Sequence, residues 1–192
     1  MTQGLMMLSG PAFPVLGTPR FVLREFVASD LDAVFRGLSH PQVIAHYGVA
    51  YETRDDTRSQ MDWFRQIAAE RSGVWWAICD SAVPETLLGA CGFNDWDHGH
   101  RNASLGYWLL PEHWRKGVMR ECLPVILNYG FDAMALHRVA AEVEPENLRS
   151  SRLLIDSGFI HEGTHRECEW KDDRFLDLAD YALLVHEWRQ RS

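Results

Sequence analysis

The run Arg20-Phe21-Val22-Leu23-Arg24-Glu25-Phe26 alternates as a strand with one buried face does. Ser29, followed by Asp30 and Asp32, signals the start of a helix to about Leu38. A short helix is expected from Pro41 to His46. Thr53, with Asp55 and Asp56 behind it, caps a longer one on which Met61, Phe64, Ile67 and Ala68 share a face. The apolar runs 74–79 and 86–93, bridged by Ser81-Ala82-Val83-Pro84-Glu85, read as a hairpin, and 103–110 as a third antiparallel strand after a polar loop. A helical pattern then runs from Val118 through Phe131. Pro124 cannot donate to the Arg120 carbonyl and should kink or loosen the second turn. A strand 138–143, a helix opened by Pro145 to Ser150 and stopped at Ser157-Gly158-Phe159, and two long strands, 159–170 and 175–188, around Lys171-Asp172-Asp173-Arg174 complete the chain.

With 192 residues, 46% of them hydrophobic, the chain can bury one sizeable core, and no linker divides it. A single domain is expected over 19–192. Residues 1–18 are apolar but lack a basic start and are broken by Gly4, Gly10, Pro11, Pro14 and Gly17, so they suit neither a signal peptide nor a membrane span. They read as a loose arm that either hangs free or covers the neighbouring subunit of a homodimer. A net charge of −8 argues against nucleic acid as a partner and leaves cationic substrates compatible. Cys79, Cys91, Cys122 and Cys168 are widely spaced without a CxxC pair, which fits reduced, buried thiols in a cytoplasmic protein.

Against that acidic background, Arg115, Lys116 and Arg120 gather around Gly117, where a strand has just ended and a helix begins. The first amides of a helix lack intrahelical partners and the helix dipole is positive there, so such a turn can hold a phosphate. Gly117 lets the backbone approach a ligand without an intervening Cβ. On its own the glycine, with its surface cations, reads as a plain helix start. The titratable loop 94–102 carries Asp95, Asp97, His98 and His100; no fixed geometry follows from it, and it reads as a solvated turn without a metal. Asn147 and Ser150, at i and i+3, share one side of the first turn of their helix, as a cap with a surface serine or as a pair with chemistry.

The ordered block Gly106-Tyr107-Trp108-Leu109, Trp114-Arg115-Lys116-Gly117-Val118-Met119-Arg120-Glu121, Leu136-His137-Arg138-Val139, Pro145-Glu146-Asn147-Leu148-Arg149-Ser150 and Gly158-Phe159 resembles the GNAT superfamily of acetyl-CoA-dependent N-acetyltransferases, and within it the RimJ/RimL-like branch that acetylates ribosomal-protein N-termini. The resemblance implies an α/β (α+β) fold. Its central mixed, mostly antiparallel twisted sheet of six to seven strands is flanked by helices and splayed between the fourth and fifth strands. It implies that the turn Arg115, Lys116, Gly117, Val118, Met119, Arg120 holds the pyrophosphate of coenzyme A. Trp108, Leu109 and Leu110 would pair with the pantetheine arm, Asn147 would contact the cofactor, and Ser150 would protonate the leaving sulfur.

Many members use a tyrosine as that acid, where this chain has Leu154, and a glutamate two residues before the Gly-Tyr pair, where it has Ser104. Asp95, Asp97, His98 and His100 remain open as bases. An α-amine with a pKa near 8 is partly neutral at pH 7, which favours N-terminal amines over lysine. The expected reaction is direct attack of an amine on acetyl-CoA, the amine being a protein N-terminus. Two alternatives stay open: a small-molecule amine such as a polyamine, aminoglycoside or amino-acid-like antibiotic, and a non-catalytic acyl-CoA-binding module.

Overall fold

Alternation along the strands sorts their side chains into two apolar layers, one on each side of a single sheet. In a computed structural model of the chain, which describes residues 12–191, the strands are β1 (Leu16–Gly17), β2 (Phe21–Arg24), β3 (Val74–Asp80), β4 (Val83–Asp97), β5 (Asn102–Leu109), β6 (Arg138–Val143), β7 (Ile160–Lys171) and β8 (Arg174–Leu184). They form one eight-stranded sheet in the order β1-β2-β3-β4-β5-β6-β8-β7. Every neighbouring pair is antiparallel except β5 and β6.

The helices are α1 (Leu31–Leu38), α2 (Pro41–Ile44), α3 (Arg58–Glu70), α4 (Val118–Asp132), α5 (Leu148–Asp156) and α6 (Val185–Arg189). Along β3, Trp75, Ala77 and Cys79 face a core shared with α1 and α3, while Val74, Trp76 and Ile78 face one shared with α4 and Leu154 of α5. A strand buried on both faces reads as a continuous apolar run, which is how 74–79 appears in the sequence.

Several boundaries differ from expectation. The sheet gains a strand because residues at the end of the presumed loose arm pair with it: Leu16 lies opposite Leu23, and Trp76 Nε1 donates to the Pro14 carbonyl at 2.8 Å. The rest of the arm, 1–11, lies outside the described residues. Ser29 does not cap α1. Instead the buried Asp30 carboxylate accepts from Val27 N–H and from both Nη atoms of Arg24, at 2.7 and 2.8 Å, so a charged residue read as helix-start chemistry ties β2 to the helix. β4 extends to Asp97, and the polar loop shrinks to a turn. The last strand stops at Leu184, and the amphipathic segment after it is α6. α4 runs continuously through Pro124.

Candidate active site

β5 and β6 pair only from Asn102 opposite Arg138 to Ser104 opposite Ala140. Beyond Ser104 their edges separate, leaving Leu105 to Leu109 and Ala141 to Val143 without strand partners across the gap. Which peptide groups face it follows from the β4 ladder. Leu110 N–H donates to the Leu88 carbonyl at 2.9 Å. Bonded and non-bonded pairs alternate in an antiparallel ladder, so Trp108, opposite Ala90, also bonds into β4. Leu109 and Tyr107 therefore turn their peptide groups toward the gap. The expectation for 108–110 narrows accordingly to the backbone of Leu109, whose carbonyl already accepts from Trp114 Nε1 at 2.9 Å. The indole of Trp108 is buried on the other face, against Gly37.

Directly after β5, a 3-10 turn at Pro111–His113 is followed by a reversal with two left-handed residues, Arg115 (φ 60°) and Gly117 (φ 76°). This arrangement aims successive N–H groups to one side. Among the described residues, the amides of Arg115, Lys116, Gly117, Val118, Met119 and Arg120 donate to no protein acceptor; the first helical bond is Glu121 N–H to the Gly117 carbonyl, 3.1 Å. The first amides of a helix lack intrahelical partners, and here the open run continues back through the left-handed turn, which fits an anion such as a diphosphate.

The side chains divide by role. Val118 and Met119 are buried in the core and can offer only their backbones. Arg115 and Lys116 are exposed and, among the described residues, without an ion pair, whereas Arg120 is paired with Asp156 at 3.1 Å. Arg20 joins the turn, which the sequence did not signal. Its Nη1 donates to the Lys116 carbonyl at 3.2 Å and its Nε to Glu121 at 2.7 Å. Desolvation pushes the Glu121 carboxyl up, but hydrogen bonds from Thr18 and Arg20 outweigh it and hold the group below its ordinary range.

Across the gap, α5 begins at Asn147, whose Oδ1 accepts from Ser150 N–H at 3.2 Å and so acts as a cap. Ser150 Oγ lies 2.5 Å from the hydroxyl of Tyr107. Burial pushes the Tyr107 phenol up while the Ser150 bond pulls it down, with a net rise that keeps it protonated. Sequence reasoning passed over this tyrosine; its only signal was its place on the strand that splays. Leu154, where relatives place their acid, is wholly buried.

The candidates on the β4–β5 turn lie elsewhere. Asp97 accepts from His100 N–H at 2.7 Å and His98 Nε2 donates to the Arg71 carbonyl at 2.8 Å, both at the paired end of β5, away from the gap. No group of metal-binding side chains is found among the described residues. Burial pushes the Cys79 thiol up to about 11 and that of Cys122 up to about 12, so neither is a ready nucleophile. Cys168, expected to be buried, is exposed.

The profile of the acetyltransferase (GNAT) domain matches residues 20–160. The uncharacterized N-acetyltransferase YoaA of Bacillus subtilis (strain 168) is 33% identical over 173 residues, covering 90% of this chain and 97% of that protein. The ribosomal-protein-serine acetyltransferase of Escherichia coli (strain K12) is 26% identical over 101 residues, 53% of this chain and 56% of that one. Among solved structures, the spermidine N-acetyltransferase from Vibrio cholerae in complex with CoA and spermine shares the fold, with a TM-score of 0.78 at 21% identity, covering 88% of this chain and 98% of that chain.

Proposed function

The chain belongs to the GNAT acetyltransferase family, whose acetyl donor is acetyl-CoA, and on that premise we propose that its acceptor is the N-terminus of a protein. The observation that carries this reading is the pair of unpartnered strand edges, one on β5 and one on β6. The amides of the pantetheine arm occupy the β5 edge at Leu109, and an extended peptide takes the other by backbone hydrogen bonds, a recognition mode a polyamine lacks the groups to use. The similarity to a ribosomal-protein-serine acetyltransferase supports the same acceptor class.

In this reading the amides of residues 115–120 grip the diphosphate, with Arg115 and Lys116 as counter-charges, and Arg120 exchanges Asp156 for phosphate. Asn147 fixes the first turn of α5 beside the arm. Acetyl-CoA supplies a thioester whose carbonyl is open to attack by an amine. Either hydroxyl of the Tyr107–Ser150 pair can be the donor, and in this reading Tyr107 donates to Ser150 Oγ. That leaves the Ser150 proton free to reach the departing sulfur.

The test is thiol release from acetyl-CoA with short peptides bearing free N-termini, with polyamines and with aminoglycosides. Turnover with peptides of free N-terminus, lost when that terminus is blocked, is the expected result. Turnover with polyamines alone would replace the peptide reading with the small-amine one, and none with any amine would leave a binding module.

A further inference from the structure

The proposed reaction has an acid in Ser150 but no base, because the residues open for that role in the sequence cluster at the wrong end of β5. At the open end lies an interaction that no sequence motif marks. Glu144 follows β6 directly and is buried, its side chain 8% exposed. One carboxylate oxygen accepts from Lys171 Nζ at 2.8 Å and the other from His46 Nδ1 at 2.7 Å. Lys171 also donates to the Ala45 carbonyl at 2.7 Å, which fixes the backbone next to the histidine.

We propose that His46 is the general base of acetyl transfer and that Glu144 is its positioning residue, an inference that rests on the acetyltransferase reading above. A carboxylate can only accept, so the proton in the His46–Glu144 bond sits on Nδ1 and the lone pair of the neutral ring sits on Nε2. Among the described residues Nε2 has no hydrogen-bond partner, and the side chain is 34% exposed. A structural staple between the β7–β8 hairpin and the segment after α2 needs only Lys171, which already balances the Glu144 charge. The histidine adds an oriented acceptor to a pair that is complete without it.

Placement supports the role. Glu144 sits where the free edge of β6 ends, and its carbonyl accepts from Asn147 N–H at 2.8 Å, turning the chain into the helix that carries Ser150. The same short stretch thus holds the acid at one end and the anchor of the base at the other. Burial pushes the Glu144 carboxyl up, but hydrogen bonds from Lys171 and His46 outweigh it and hold it below its ordinary range, so the anchor stays ionised. The charged groups beside His46 are Glu144, which it bonds, and Lys171, which bonds Glu144 and the Ala45 carbonyl.

As the amine nitrogen bonds to the acetyl carbon, Nε2 takes the surplus ammonium proton directly or through one water. The carbon–sulfur bond breaks, Ser150 gives a proton to sulfur, and solvent takes the proton from His46 and restores that of Ser150.

The experiment begins with wild-type thiol release, since failure with every amine would remove the underlying acetyltransferase reading and this inference with it. With wild-type turnover in hand, His46→Ala should lower kcat by about 10²-fold or more while leaving coenzyme A affinity by calorimetry unchanged. The acidic limb of its pH profile should disappear, and added imidazole should restore part of the rate. Glu144→Gln should lower kcat in the same direction and resist imidazole. Wild-type kcat and pH profile in His46→Ala and His46→Gln would overturn the proposal. So would a loss of rate with an unaltered pH profile and no imidazole rescue.

Discussion

Two turns of this chain are dense in polar and charged residues, and they end differently. The β4–β5 turn closes on itself: Asp97 accepts from His100 N–H, His98 donates to Arg71, Arg101 Nε donates to Ala135, and the Arg101 carbonyl accepts from His137 N–H. The turn after β5 leaves six successive amides, Arg115 to Arg120, without a protein acceptor among the described residues. Charge density is alike in both. What separates a solvated turn from a ligand site is the set of hydrogen-bonding groups the protein leaves unanswered.

The comparison can be attacked from its chemical side first. Replacing Ser150 by Ala should lower kcat by about 10²-fold with coenzyme A affinity unchanged, and Tyr107→Phe should act in the same direction but more weakly. Steady-state kinetics beside calorimetry would show it, and a double variant no worse than Ser150→Ala alone would place both hydroxyls in one unit. Arg115→Ala and Lys116→Ala should each weaken coenzyme A by about 1 kcal/mol, roughly fivefold, with a smaller effect at high salt. A titration at two ionic strengths checks this. Asp97→Ala, in the satisfied turn, should leave coenzyme A affinity within about twofold of wild type. A larger loss there would erase the contrast between the two turns.

The buried carboxylate gives the mildest test. Glu144 has a folded-state pKa below its ordinary value of 4.5, so the folded protein binds fewer protons there than the unfolded chain. Its contribution to stability is present above about pH 4.5 and is lost as the pH falls through the folded value below it. Thermal melts of wild type and Glu144→Gln should therefore converge as the pH drops from 6 to 3.

Local pattern carried much of the fold. The strand 138–143 and the burial of Met61, Phe64 and Ile67 follow from periods of two and 3.6, and the Gly117 turn was visible as a glycine among cations. The sequence hid what depends on contacts far apart along the chain. Arg20 reaches Glu121 across 101 residues, Tyr107 meets Ser150 across 43, and His46 meets Glu144 across 98. No spacing rule encodes such pairs, since the sheet order alone creates them. β1 was missed because two residues, one of them Gly17, are too short a run to show alternation. The polar loop was drawn too long because β4 continues past its apolar stretch, where Asn94 to Asp97 are no longer buried.

The central claim is that the open amides around Gly117 hold the diphosphate of coenzyme A. Arg20 Nη2 lies 3.4 Å from where a Cβ on Gly117 would sit, an ordinary contact, so a Cβ there costs the fold little beyond the left-handed backbone, about 1–2 kcal/mol. Calorimetric titration of coenzyme A into wild type and Gly117→Val, with a thermal melt to confirm folding, is the direct test. The account predicts a folded variant whose affinity drops by about 100-fold or more, the loss of roughly two charge-assisted hydrogen bonds. A folded Gly117→Val that binds coenzyme A as tightly as wild type would contradict it.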